Sequence, residues 1–207
     1  TSAAITGLAA SNLADLTTLH SQRAGFSTLE NITAITLTND GGGGDGDVNF
    51  GDLDTIVNSY QGDINAGVAF SFQTGDTIDI DSSDELSAYL TDIGSGALVL
   101  TNQNVTVDSS VGVSVADAKS IAADTSGIVT ATIASGTRVS KLTELRDPDG
   151  AGLGGNEENA WTITLDNADA TAATAAELNT INAATSVAVT SAAITGLAAS
   201  NLADLTT

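Results

Sequence analysis

The chain has 207 residues, of which 42% are hydrophobic and only seven are aromatic, so its core is built mainly from small aliphatic side chains. Five Lys and Arg against 26 Asp and Glu give a net charge of −21, which repels phosphate backbones and argues against nucleic-acid partners. The lack of cysteine excludes disulfides and thiolate metal sites, and the lack of a long apolar run predicts no membrane insertion.

The first 18 residues, TSAAITGLAASNLADLTT, recur letter for letter at residues 190–207, at an offset of 189. Chance does not produce an identity of this length, and a fixed internal period is typical of repeat proteins. We therefore predict that residues 1–189 are one full repeat unit and that residues 190–207 begin the next copy. A weaker echo relates residues 121–130 to residues 181–190 at an offset of 60. The alternative is a segment duplicated within a free-standing domain.

Short runs in which apolar residues alternate with Thr or Asp are predicted to be strands with one covered face. In chain order these predicted strands are residues 32–38, 68–72, 77–80, 97–101, 105–107, 128–133, 161–165 and 187–194.

Helices are predicted between these strands. Ser82 and Glu85 have capping-box spacing, and Thr174 and Glu177 repeat it before a second apolar run. Ser114 with Asp117 is a looser version of the same device. Two apolar faces follow helical spacing, namely Phe50, Leu53, Ile56, Val57 and Tyr60 in one segment and Leu86, Tyr89, Leu90 and Ile93 in the other.

The alternation of strands and helices about every 30 residues predicts parallel strands joined by crossover connections. Combined with tandem repetition, it favours a solenoid over a closed doubly wound domain, because each coil can bury a small apolar face on its neighbours. The predicted fold is therefore an α/β or β-rich solenoid with parallel strands and short crossover helices. Two acidic loops, residues 39–54 and residues 146–159, are predicted to be insertions that project from it.

The first acidic loop carries short oxygen-bearing side chains on a Gly-rich backbone, which is the composition that suits Ca²⁺. A helix follows it directly, as in calcium loops of the EF-hand type. The predicted ligands are Asp40, Asp45, Asp47, Asn49, Asp52 and Asp54. The alternative is a solvent-exposed, Gly-rich loop without a metal ion on a very acidic protein.

The second acidic loop surrounds the single proline of the chain, Pro148, and has a similar composition. Its predicted calcium ligands are Asp147, Asp149, Asn156 and Glu157. A solvated loop is again the alternative.

The first loop resembles the dockerin-type calcium loop. Asp45-Gly46, Val48-Asn49 and Asp52 match the second half of that motif, and residues 53–60 resemble its helix. The first two ligand positions fall on Gly41 and Gly43, which offer no side-chain oxygen. A dockerin also carries two such loops and this chain has one, so the resemblance implies calcium and gives little support to cohesin docking.

Longer sequence segments resemble repeats of giant cell-surface proteins of aquatic bacteria, of the kind found in marine cyanobacteria. They lie at residues 115–133, 176–186 and 194–205. The resemblance implies an extracellular or cell-surface array, such as a filament, a layer or an adhesin-like assembly, whose partners are copies of itself. A Cys-free, Lys-poor and Asp-rich composition agrees with calcium-containing water outside a cell.

No arrangement of nucleophile and base is recognisable in the sequence, and His20 has no evident catalytic partner. We therefore predict that the protein is not an enzyme. The alternative is a carbohydrate-binding or polysaccharide-acting β-helix module directed at a cell-surface polysaccharide. Such a module needs converging carboxylates or aromatic stacking surface.

Overall fold

The computed structural model describes residues 6–26, 29–37, 47–72, 76–147, 152–156, 158–191 and 197–198. The chain divides into two compact units, unit 1 (Thr1–Asn104) and unit 2 (Val105–Thr207). Most of the predicted second copy, residues 192–196 and 199–207, lies outside the described residues.

In unit 1, strands and helices alternate along the chain. Its elements are β1 (Gly7–Ser11), α1 (Leu13–Ser21), β2 (Ala34–Leu37), β3 (Asp47–Asn49), α2 (Phe50–Asp63), β4 (Ala69–Phe72), β5 (Thr77–Ile80), α3 (Ser83–Ser95) and β6 (Leu98–Val99).

The strands of unit 1 form two groups, and the strands within each group are parallel. Strands β1, β2, β4 and β6 form one sheet in that order, and every neighbouring pair is parallel. Strand β3 pairs with β5, also in parallel. Each new strand therefore adds beside the preceding strand of its own sheet. The predicted α/β class with parallel strands is confirmed.

The core of unit 1 contains apolar side chains from the helices and the strands. The predicted apolar face of α2 is confirmed, because all five of its residues are buried. Two edge-to-face ring pairs hold the helices and strands together: Phe50 lies 5.5 Å from Tyr89, and Tyr60 lies 6.0 Å from Phe70, measured between ring centroids. On α3, Leu86 and Tyr89 are buried as predicted, whereas Leu90 and Ile93 of the same predicted face are half-buried.

Unit 2 begins within β7 (Asn104–Val107) and again alternates strands with helices. Its further elements are β8 (Gly112–Val113), α4 (Val115–Asp124), β9 (Val129–Ile133), α5 (Val139–Leu142), β10 (Ala160–Thr162), β11 (Thr164–Leu165), α6 (Ala175–Asn182) and β12 (Thr190–Ser191). Strand β9 pairs in parallel with β7, β8 and β10, and β11 pairs in parallel with β12.

Each described helix of eight or more residues begins in the same way. A short polar side chain at the N-cap accepts the backbone N–H of an acidic residue three positions later, which satisfies one of the free donors of the first turn. The cap and acid pairs are Asn12 with Asp15, Asn49 with Asp52, Ser82 with Glu85, Ser114 with Asp117 and Thr174 with Glu177. The full capping box predicted at Thr174 is confirmed.

The echo at an offset of 60 residues corresponds to a repeated turn. Ile121 and Ile181 are both fully buried near the ends of α4 and α6. The hydroxyl of Thr125 accepts the N–H of the residue two positions later at 2.9 Å, and the hydroxyl of Thr185 does the same at 3.1 Å. Similar sequences thus form the same connection from helix to strand.

Some strands differ from the predicted runs. The run at 97–101 shortens to β6, because the Gln103 side chain accepts the Thr101 N–H at 2.7 Å and closes a turn. The run at 161–165 splits at Ile163 into β10 and β11, which pair with different partners. Within the described residues, the run at 187–194 shortens to β12.

Candidate metal-binding site

Strand β3 places two of the predicted ligands on one face. Asp47 and Asn49 are exposed, whereas Val48 between them is only 2% exposed, because successive side chains of a strand point to opposite faces. The residues that precede them, including the predicted ligands Asp40 and Asp45, lie outside the described residues. What the structure shows of the first acidic loop is therefore its end, where it becomes β3 and α2.

Asn49 has two structural roles at this point. Its Oδ1 accepts the backbone N–H of Asp52 at 3.2 Å, which caps α2, and its Nδ2 donates to Oδ2 of Asp81 at 2.8 Å. Asp81 follows β5, so Asn49 joins two successive connections from strand to helix. Asp52 is exposed in the first turn of α2, where a negative charge is favourable.

Replacing Asn49 with Ala should lower the free energy of unfolding by about 1–2 kcal/mol, since it removes the cap of α2 and the bond to Asp81. Chemical denaturation followed by circular dichroism measures the loss. The matched control is Thr55→Ala on the exposed side of the same helix, where the hydroxyl bonds the Gly51 carbonyl. Equal losses in the two variants would contradict the assigned role of Asn49.

Asp54 lies on a different side of α2 from Asp52. Residues two apart on an α-helix project about 200° from each other, so they do not face a common ligand. Asp54 is half-buried, and its Oδ1 accepts Nδ2 of Asn58 at 2.9 Å. The described ligands of the first loop thus fall into two groups, with Asp54 apart from Asp47, Asn49 and Asp52.

In the second loop, Asp147 and Asn156 are described, whereas Asp149 and Glu157 are not. Asn156 donates to the Gly127 carbonyl at 2.9 Å and accepts the Glu158 N–H at 2.8 Å, so its amide fastens the loop to the turn after α4. Asp147 is half-exposed beside Arg146, whose guanidinium donates to the Ala183 carbonyl.

Within the described ranges, no three His, Asp or Glu side chains come together in a way that would hold a metal ion. Predicted ligands from both loops lie beyond those ranges. Calcium binding by the two acidic loops therefore stays a prediction.

Sequence reasoning missed a buried acidic residue, Asp92, whose pKa is raised by its surroundings. Asp92 is 8% exposed and lies on the buried face of α3, three residues after Tyr89. Burial, and secondarily the nearby carboxylate of Asp54, raise the pKa of Asp92 to about 6. The spacing of Leu86 and Tyr89 could have indicated this position, but Ile93 next to it satisfies the same apolar period.

The basic residues of unit 1 gather around one acid at the end of α2. Oδ2 of Asp63 lies 3.0 Å from Nε2 of His20 and 3.0 Å from Nη2 of Arg23. The His20 ring also packs on Tyr60, whose hydroxyl donates to the Leu16 carbonyl at 3.0 Å. This arrangement ties α1 to α2 and explains His20 as a structural residue.

Among the described helices, none combines the length and the apolar character needed to cross a membrane. Comparison of the chain with protein-family models, with curated proteins and with solved structures gave no match.

Proposed function

We propose that the chain is one repeat, followed by the start of the next, of a structural array outside the cell. The array is a filament, a layer or an adhesin-like assembly in which each copy continues the strands of the previous copy. Calcium stabilises it, and its partners are further copies of itself. The observation that carries the proposal is the identity of residues 1–18 and 190–207.

The contacts of the duplicated segment support this proposal. In the first occurrence, β1 pairs with β2, which is the next strand along the chain, and Leu8 lies beside Ile35. In its second occurrence, the N–H of Ala198, which corresponds to Ala9, donates to the carbonyl of Ala173 at 2.9 Å. The first occurrence therefore contacts a strand that follows it in the chain, and the second occurrence contacts a segment that precedes it. In a tandem array, one segment would make both contacts.

Three polar contacts of unit 2 that share one sequence offset support the solenoid. Asn159 accepts the N–H of Val129 at 2.9 Å, Asp166 accepts the N–H of Gly136 at 2.7 Å, and Asp169 accepts the N–H of Val139 at 3.3 Å. Each pair is 30 residues apart, which is also the register offset between β9 and β10. Such a period is expected if successive coils of about 30 residues stack on one another.

The aromatic residues give the carbohydrate alternative little support. All seven lie in the described part of the chain, and Phe26, which is 45% exposed, is the one with a largely accessible ring. Trp161 is fully buried. The rings thus serve the core, and they do not form a surface on which a sugar would stack.

The excess of negative charge in unit 1 is a reason to expect calcium binding. Residues 1–104 contain 14 acidic side chains and one Lys or Arg, so like-charge repulsion opposes their compaction. A divalent ion held by Asp45, Asp47, Asn49 and Asp52 would reduce this repulsion at the start of α2. Extracellular calcium is millimolar, which is enough to fill a site with a Kd of about 10⁻⁴ M.

Chains that contain one, two and three copies of residues 1–189 test the proposal by small-angle X-ray scattering in calcium-containing buffer. For an array of stacked coils, the length should rise linearly with copy number while the radius of the cross-section stays constant. Separate globular copies, seen as a wider and flexibly jointed particle, would contradict the proposal.

A further inference from the structure

The few basic residues of the chain are concentrated in one stretch of unit 2. Residues 119–146 contain four of the five Lys and Arg side chains and only two acids, which gives this stretch a net charge of +2. The other 179 residues contain one Lys or Arg and 24 acids, a net charge of −23. Repulsion from exposed charges is screened beyond about 8 Å at physiological ionic strength, so an anionic ligand at this stretch responds mainly to the local charge.

Two neighbouring cavities lie beside these basic residues. The first has a volume of about 640 Å³ and lies where the short helical turn Thr143–Leu145 contacts both α4 and α6. The second has a volume of about 560 Å³ and shares two lining residues, Lys119 and Glu144, with the first. Each volume is typical of a site for a small organic ligand. Together, the two cavities form what we call the basic groove, which is long enough for a ligand of more than one unit.

Two basic side chains line the first cavity. Lys119 is exposed on α4, and no acid in the described part of the chain forms an ion pair with it. Arg146 is half-exposed, and its guanidinium donates to the Ala183 carbonyl after α6, which fixes the side chain at the cavity wall. Lys and Arg bind carboxylates through charge-assisted hydrogen bonds. The first cavity therefore offers positive charge to a carboxylate.

The first cavity also contains groups that suit the hydroxyls of a sugar. Glu144 and Asp147 line it together with the hydroxyl-bearing and amide side chains of Thr143, Thr180 and Asn179. Carboxylates accept hydrogen bonds from hydroxyls, whereas they repel a ligand that carries only negative groups, such as phosphate or an acidic peptide. The mixture of basic, acidic and neutral polar groups thus favours an acidic sugar over a simple anion.

The second cavity continues this pattern with a more apolar wall. Val115, Ala116 and Ala134 line it beside Lys141. Nζ of Lys141 lies 2.7 Å from Oε1 of Glu144, so the Lys141 charge compensates that acid at the boundary between the cavities. Small apolar side chains can contact the C–H groups of a sugar ring, and the second cavity therefore suits the next unit of a chain.

We propose that the basic groove binds an acidic polysaccharide through one of its uronic acid units. The carboxylate of that unit lies at Lys119 and Arg146, and its hydroxyls bond to the acidic and neutral polar groups of the first cavity. The next sugar unit occupies the second cavity. This mode of binding needs no exposed aromatic ring, and it goes beyond the proposed function because a single copy binds the sugar without calcium and without assembly.

The test is an NMR titration of the full 207-residue chain, labelled with ¹⁵N, with a trisaccharide of galacturonic acid in the presence of chelator. Chelator removes calcium, which could otherwise bridge the sugar to the acidic loops. We expect shifts of the amide signals from residues around both cavities, and weaker binding as NaCl is raised. The matching trisaccharide of galactose should bind at least about tenfold more weakly, because it lacks the carboxylate.

Variants of one exposed lysine locate the site. Lys119→Gln should weaken the apparent affinity for the galacturonic acid trisaccharide at least about tenfold, and Lys119→Arg should retain most of it because the positive charge is kept. The matched control is Arg138→Gln, which removes the same charge from an exposed side chain that lines neither cavity. This control should bind like the unaltered chain.

The contrary outcomes are distinct from one another. Absence of shifts around the cavities, unchanged affinity in Lys119→Gln, or equal binding of the galactose trisaccharide would overturn the proposal. A peptide of aspartates is the third probe, and if it binds as tightly as the acidic trisaccharide, the groove recognises acidic protein segments, such as those of a second copy, and the sugar assignment is wrong. The scattering test of joined copies does not involve the groove, so either proposal can fail without the other.

Discussion

Replacing Trp161 with Ala is expected to lower the free energy of unfolding by about 3–5 kcal/mol, the range for deleting a large buried aromatic side chain. Trp161 is fully buried in β10 and is the largest side chain in the core. A chain whose core consists mainly of small aliphatic residues has few groups that could move into the space. Urea denaturation followed by circular dichroism measures the loss.

Trp161→Phe is the matched control for this prediction. The indole Nε1 is buried without an acceptor among the described residues, so Trp161 has an unsatisfied donor that Phe does not have. Phe keeps an aromatic ring in the site, and we expect the loss to be less than half of that caused by Ala. Equal losses in the two variants would contradict the role of Trp161 as a packing anchor.

Replacing Asp92 with Asn is expected to stabilise the protein above about pH 7 when chelator is present. The pKa of Asp92 is about 6 in the folded state and 3.8 as the ordinary value, so folding favours the protonated acid. The stabilisation from the protonated acid is complete below the ordinary pKa of 3.8, and it is lost as the pH rises through the pKa of the folded state. Two pKa units correspond to at most about 3 kcal/mol.

A pH series of denaturant titrations checks this sign. The stability of the unaltered chain should fall between about pH 4 and pH 7 relative to Asp92→Asn, and the two chains should be similar near pH 4. Asp54→Asn should recover a smaller part of the loss, because burial is the larger cause of the raised pKa. A variant that destabilises the chain equally at every pH would show that Asp92 has another role.

Local features of the fold could be predicted from the sequence. Helical spacing identified the buried face of α2, and the spacing of Ser82 with Glu85 and of Thr174 with Glu177 identified the starts of two helices. These features depend on residues within one or two turns of each other. Alternation of apolar residues with Thr likewise located β5 and β9 to within a residue.

Features that depend on distant contacts were not predictable in the same way. The sequence of β1, Gly-Leu-Ala-Ala-Ser, has weak strand propensity, and it becomes a strand through its pairing with β2. The burial of Asp92, and with it the raised pKa of this residue, depends on how α3 packs in the folded unit. The bond from Asn49 to Asp81 depends on the pairing of β3 with β5, which the sequence pattern did not show.

The most direct test of the array is an experimental structure of a chain with two consecutive copies. We predict that residues 196–200 form one strand at the junction, with the N–H of Ala198 bonded to the carbonyl of Ala173, as here. The opposite edge of this strand should pair with the next copy's equivalent of β2, as β1 pairs with β2 in this chain. Two separately folded copies, with the junction unpaired on either side, would contradict the account.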